Sequence, residues 1–427
     1  MTPATALLST RAVRERCARI LAAARAGETR WLGVDTARLE VAADRVAAVT
    51  LRRYPDLVVP YHSRWRHFEA GGVDRVARIE AGAAHRGDPV ERARARIDLA
   101  VVAVLLDAGA GGAWRFEDRT TGLAAGRSEG LGVASLRAFE AGLFSSDPSQ
   151  PLRADATGLR ALDAAALGRA FQVGPTNPLV GLDGRVALLR RLGDALAAQP
   201  GVFGPHARPG GLFDALTAGS RAVPAAPVAA PVAAPVGRVA GPPAVQVAAH
   251  DILQALLSAF GEIWPQGARL DGVALGDAWR HPQAGGEGAT AGWVPFHKLS
   301  QWLAYSLLEP FESAGVRIGG LDALTGLAEY RNGGLLVDTG VIVPREPAAF
   351  AAPLAPGAEP IVEWRALTVA LIDALAPMVR ERLGRDAETM PLAAVLEGGT
   401  WAAGRELAQA LRGGEPPFAI TSDGTVF

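Results

Sequence analysis

Eight residues following a proline, Tyr61-His62-Ser63-Arg64-Trp65-Arg66-His67-Phe68, concentrate two arginines, two histidines and three aromatics. Such a set suits an anion such as a phosphate ester, because arginine forks bind its oxygens in pairs and imidazoles add donors. A salt-bridged turn between helices is the plainer reading, but aromatics interleaved with charges favour a site. A second stretch runs from Val294 to Tyr305, where Lys298, Trp302, Tyr305 and Glu309 fall on one helical stripe opposite Leu299, Leu303 and Leu307. Lys298 is the single lysine among 43 basic residues. Lysine in a chain that otherwise uses arginine suggests a place that needs a compact ammonium; the alternative is an ordinary exposed face.

In a third stretch, Leu324 to Gly334, Glu329 stands beside Tyr330, Arg331 and Asn332, one of two asparagines in the chain. A carboxylate there can stabilise a cationic transition state or activate water, as hydrolysis at an anomeric carbon requires. Asn332-Gly333-Gly334 also reads as the left-handed end of a helix. Glu363 and Arg365 open a further helix and would be surface charges by default. Glu397-Gly398-Gly399-Thr400-Trp401 leads toward a helix N-terminus, a natural anion site or a simple cap.

Other patterns carry less. Gly126-Arg127-Ser128-Glu129-Gly130 has the spacing of a nucleophile elbow, but Thr120–Ala125 is a poor strand and Ser128 suits a helix cap. Gly109-Ala110-Gly111-Gly112 lacks the third glycine of a dinucleotide loop, and Phe296-His297 before Lys298 excludes a phosphate-cradling glycine loop. The histidines show no paired metal-ligand spacing, so neither metal nor cofactor is expected. Cys17, the only cysteine, excludes an internal disulfide and a cysteine-rich metal site.

The elements that must position these residues are mostly helical in period. Thr10 can cap a helix whose Val13, Cys17, Ile20 and Leu21 share a face, closed by Gly27; Asp35 can cap a second, ended by Pro55; a third spans about 91–107. Further helices are expected near 128–141, 155–171, 183–199, 249–262, 295–309, 361–383 and 400–411, with Pro295 at a first helical position. Strand signals are confined to Leu335–Val337 and Val341–Val343. The expected fold is mainly α with a few short strands. A Pro/Ala-rich linker at 217–247 would divide an N-terminal helical part, 1–216, from a C-terminal part, 248–427, the two packing as one unit. The chain has 427 residues, is 49% hydrophobic and carries a formal net charge of -1, which argues against a nucleic-acid partner. Arg11, Arg14, Arg16 and Arg19 stand where a secretion signal needs an apolar core. No apolar run is long enough to span a membrane. A cytoplasmic protein with a small-molecule substrate is expected.

Several ungapped blocks resemble the uracil-catabolism protein family: YHSRWRHFEAGGVDR (61–75), LLDAGAGGAWRF (105–116), Arg127 to Gly130, VPFHKLSQWL (294–303), LTGLAEYRNGG (324–334), VEWRALTV (362–369), LEGGTWAAGR (396–405) and SDGTVF (422–427). Their order is more distantly similar to the queuosine-nucleotide N-glycosylases, all-helical proteins with a fold like helix-hairpin-helix DNA glycosylases. That resemblance matches their phenylalanine-tyrosine-lysine-lysine helix to Phe296-His297-Lys298-Leu299, their alanine-aspartate-tyrosine-arginine segment to Ala328-Glu329-Tyr330-Arg331, and their glutamate-isoleucine-arginine helix to Glu363-Trp364-Arg365. Their catalytic aspartate corresponds to the longer Glu329. Residues that would line a flat base correspond to Ala110 and Gly111, which implies a smaller leaving group.

The resemblance implies a hydrolase that cleaves the N-glycosidic bond of a ring-opened uridine nucleotide. Glu329, Lys298, Tyr330 and Arg331 are its catalytic candidates. His62, Arg64, Arg66, His67, Asp107, Trp302, Glu363 and Arg365 are expected to bind substrate. An amidohydrolase of the ureido group and a non-catalytic partner of the ring-opening enzyme stay open beside it.

Overall fold

The computed structural model describes residues 2–82, 87–218, 245–264 and 268–421. It is mainly α, and among the described residues the strands form only two-stranded ribbons. The Thr10–Ala26 helix is capped by Ser9 rather than Thr10, buries Val13, Cys17, Ile20 and Leu21, and stops at Gly27 with φ 80°. Asp35 caps a short turn that runs into the Leu39–Arg53 helix, and Asp88 caps Pro89–Leu105 with Pro89 in the first turn. The long Glu359–Leu383 helix packs on Thr10–Ala26 and Leu39–Arg53, while Lys298–Ser313 packs on Pro89–Leu105. One large apolar core therefore draws on helices from both sides of the proline-rich stretch.

Of that stretch, residues 219–244 lie outside the described residues. Its edges are more regular than a linker: Thr217 and Ala218 end the Gly211–Ala218 helix, and Gln246–Ala248 pairs in parallel with Arg317–Gly319.

Four other local expectations are corrected. The segment 155–171 is two helices, Ala156–Ala161 and Ala164–Ala170. Pro295 does not open a helix; it closes the strand Trp293–Pro295, paired with Ala278–Arg280, and His297 turns the chain at φ 48° so that the helix starts at Lys298. Leu335–Val337 is helical, because Glu329 caps a Tyr330–Asp338 helix that runs through it. Gly333 and Gly334 sit inside that helix and not at its end; a Cβ on Gly333 would lie 2.7 Å from the Trp364 indole. Ile342–Pro344 is a strand, antiparallel to Leu32–Val34.

Candidate active site

The segment 61–68 is held against the polar stripe of the Lys298–Ser313 helix. Ser63 Oγ donates to Glu309 at 2.8 Å, the Arg64 N–H to Ser306 Oγ at 2.9 Å, and Trp65 Nε1 to the Ser306 carbonyl at 2.8 Å. The stripe is thus an interior face and not a solvated one: Trp302 and Tyr305 are buried, and Tyr305 Oη donates to the Thr325 carbonyl at 2.9 Å.

The expected single anion cradle is divided. Arg64, fully buried, donates to Asp107 at 2.5 Å and to the Ser128 carbonyl at 3.1 Å. Arg66 turns the other way, to Glu309 at 2.8 Å and Glu69 at 3.4 Å. His67 packs edge-on to Trp302, with ring centroids 5.7 Å apart. Burial first, then the neighbouring Arg64 charge, hold its imidazole well below the ordinary range, so it is neutral.

Glu329 sits at the head of the Tyr330–Asp338 helix. Its two oxygens accept the Arg331 N–H at 2.8 Å and the Asn332 N–H at 2.5 Å, a bidentate cap that fixes the carboxylate plane. Asn332 is fully buried, donating to the Leu327 carbonyl at 3.2 Å and accepting from Thr400 Oγ1 at 2.9 Å. Lys298 lies within electrostatic reach of both Glu329 and Asp107. Burial lowers its ammonium below the usual lysine value, these two acids oppose that shift, and Arg365 adds to it. Asp107 is pushed up by burial against the pull of Arg64 and Lys298, and also receives the Ser128 hydroxyl at 3.2 Å. Ser128 therefore serves Asp107; Gly126, not Ser128, occupies the cap of the Arg127–Glu140 helix. A short Leu123–Ala125 strand does precede that helix, but the serine hydroxyl meets an acid and no histidine.

A small cavity of about 10 Å³ opens beside Glu329, lined also by Tyr330, Trp364, Arg365, Thr368 and Ile420. Tyr330 is 39% exposed at its rim. Arg331 is buried, stacks on the Tyr330 ring at 4.6 Å and donates to the Gly414 carbonyl at 3.0 Å, so it braces the wall. Arg365 lies 4.0 Å over the Phe296 ring and grips Asp277 through two bonds of 2.9 and 2.7 Å. Glu363, one turn-face away on the same helix, is spent elsewhere: it accepts the Leu32 N–H at 2.7 Å and faces His281 at 3.2 Å. It joins two elements and does not approach Glu329's cavity lining.

Asp277 is the residue that sequence reasoning missed. Besides Arg365 it accepts Trp279 Nε1 at 2.8 Å and the Lys298 N–H at 3.0 Å, and its carbonyl takes the N–H groups of Phe296 and His297. Burial works against its charge, but these donors, led by Arg365, bring its carboxyl down to about 2. The only signal for it was a lone acid in Gly276-Asp277-Ala278-Trp279. The anion site expected at Glu397–Trp401 is also replaced: no helix starts there, since residues 396–400 form a π turn between two helical pieces. Gly399 is required because an added Cβ would lie 2.5 Å from Val46. Among the described residues no group of three His, Cys, Asp or Glu side chains is placed to hold a metal ion, and no helix is long and apolar enough to cross a membrane.

The family model described as "Protein of unknown function (DUF1688)" matches residues 6–427. The chain is 38% identical over 430 residues to Protein urg3 of Schizosaccharomyces pombe, covering 99% of this chain and 98% of that one. It is 36% identical over 430 residues to Uracil catabolism protein 4 of Lachancea kluyveri, covering 94% and 93%. Both matches run through nearly the whole chain, which belongs to the DUF1688 family.

Proposed function

We propose that this protein serves uracil degradation as a hydrolase of an N-glycosidic bond, acting on a ring-opened uridine nucleotide of the ribosylurea type. Its products are ribose, or ribose phosphate, and urea. The name of the Lachancea kluyveri relative supports the pathway. The observation that carries the chemistry is the carboxylate of Glu329, fixed by two backbone donors at a cavity wall with the Lys298 ammonium in reach.

Breaking a glycosidic C–N bond places positive charge on the anomeric carbon and negative charge on the departing nitrogen. Glu329 faces the first, as an immobile anion that needs no reorganisation at the moment of reaction. Lys298, its pKa lowered by burial, supplies a proton to the second. Water adds its oxygen to the anomeric carbon as urea leaves. Arg64 with Asp107, and Arg365 with Asp277, hold the walls that keep Lys298 in place.

The test is product analysis by mass spectrometry on a ring-opened uridine nucleotide, with Glu329→Gln beside the parent. Urea and free sugar are expected, and a fall in kcat of about 100-fold or more in the variant with substrate binding retained. Ammonia and carbon dioxide would mark a ureido amidohydrolase, binding without turnover a non-catalytic protein. Full activity of Glu329→Gln would remove the carboxylate from the reaction.

A further inference from the structure

His62, its ring centroid 6.5 Å from that of Trp302, ends a chain of side chains that runs through Glu397 to Arg53 and Tyr54. Arg53 Nη2 lies 2.9 Å from Glu397 Oε1, and Tyr54 Oη donates to the same oxygen at 3.2 Å. The other oxygen, Oε2, lies 2.9 Å from His62 Nδ1. Both side chains are nearly sealed, Glu397 at 6% and His62 at 8% exposure. Burial opposes the Glu397 charge, yet His62 and Arg53 bring its carboxyl below the usual range.

Three features separate this arrangement from a mere cross-link. With Nδ1 facing a carboxylate, the imidazole hydrogen resides there and Nε2 is left as an acceptor. That Nε2 has no hydrogen-bond partner among the described residues, and it is absent from the sealed, unpaired atoms that include His67 Nδ1 and Trp302 Nε1. It therefore borders accessible space. Next, Glu397 projects from the π turn at 396–400, a distortion that recurs at functional sites and is held here by close packing of Gly398 and Gly399 on Thr50 and Val46. Finally, Thr400 at the end of that turn bonds Asn332, in the helix that Glu329 caps, so the two acids are braced together. His62 and His67 each lie against both Trp302 and Trp401, at centroid distances of 5.7–6.5 Å, which gives the open nitrogen apolar walls.

We infer that His62 is the general base of this site, and that Glu397 is the residue that positions it. The inference rests on the N-glycosidase reading. In the step, the water oxygen bonds to the anomeric carbon while one water proton passes to His62 Nε2. The C–N bond breaks, its electron pair stays on nitrogen, and Lys298 protonates that nitrogen to release urea. The imidazolium then returns its proton to solvent and Lys298 regains one. Glu397, paired with Arg53 and Tyr54, stabilises the imidazolium for that interval.

The experiment uses the full chain and a ring-opened uridine nucleotide, measuring urea release against pH. His62→Ala should lower kcat by on the order of 100-fold or more, with KM changed far less, and added imidazole should restore part of it. Glu397→Gln should lower kcat and move the acid limb of its pH profile downward, because the imidazolium loses its anionic partner. The other charged and titratable groups around the ring, Arg53, Tyr54 and His67, with Arg66 and Arg405 facing His67, stay in place. If the parent releases urea while folded His62→Ala stays within about twofold, the inference falls and the glycosidase reading survives. If the parent releases ammonia in place of urea, both fall. Should His62→Ala not fold, an unshifted pH profile and unchanged kcat in Glu397→Gln overturn it equally.

Discussion

Asp98 and Asp107 belong to the same run of chain, one inside the Pro89–Leu105 helix and the other just past its end, yet they are treated in opposite ways. Asp98 is fully buried and fully answered: Arg208 reaches it at 2.9 and 2.7 Å, the Gly210 N–H at 2.6 Å and the Ala154 N–H at 3.2 Å. Arg208 also holds Glu91 at 2.6 Å, which ties the first turn of the helix into the same network. Asp107 keeps 10% of its side chain exposed, meets Arg64 and Ser128, and has the Lys298 ammonium near but not bonded to it. Around it four sealed nitrogens lack a hydrogen-bond partner among the described residues, Arg64 Nε and Nη2, Trp302 Nε1 and His67 Nδ1, against one, Arg208 Nη2, beside Asp98. An unmatched buried polar group costs about 1–3 kcal/mol, and a fold that tolerates several beside one another has reason to. Asp98 marks scaffold by near saturation, and incompleteness gathers at the site.

The largest effect tests the saturated side. Asp98→Ala leaves Arg208 buried without its partner and should cost about 3–5 kcal/mol, read as a drop in the urea unfolding midpoint. Turnover per folded molecule should stay within about twofold. Lost turnover with stability intact would break the division. Asp277 sharpens it, because it is saturated yet carries site residues. Its carboxyl lies at about 2 in the folded protein against an ordinary 3.8. A depressed carboxyl stabilises the fold above its unfolded value and loses that contribution as pH falls from about 4 to 2. The amount is about 2 kcal/mol. Asp277→Asn should remove that acid limb from the stability profile, measured by urea unfolding across pH. It should also slow turnover, since Arg365 and the start of the Lys298 helix lose their anchor.

The sequence made the helical class legible, because apolar spacing and the cap at Asp35 are local signals that tertiary packing did not override. It also raised Glu329, Lys298 and His62 as candidates through their residue types and spacing, and Asp107 through the family resemblance. Pairings were not legible. Asp277 meets Arg365 and Lys298 from distant segments, and nothing local distinguishes it from a surface acid. Glycines misled twice for one reason: Gly333 and Gly399 are small because Trp364 and Val46 press on them, whereas a lone sequence offers only turn chemistry. Leu335–Val337 looked extended because three apolar residues suit a strand and a buried helix alike.

The smallest change asks most of the comparison. Lys298→Arg keeps the charge, and its stability should stay within about 0.5 kcal/mol of the parent. A guanidinium is longer, planar and permanently charged, so at this position it would fork onto Asp107 or Glu329 and close the site as Arg208 closes around Asp98. It also has no proton to give near neutral pH. Turnover should therefore fall about tenfold or more, equivalent to about 1.4 kcal/mol of barrier. The parent should lose kcat on the alkaline side below the ordinary lysine value, because burial lowers the ammonium pKa and the proton is gone above it. The arginine variant should show no such limb. If Lys298→Arg keeps both the rate and the limb, an unpaired cation in a buried wall is not a sign of chemistry in this protein, and the contrast with Asp98 loses its functional meaning.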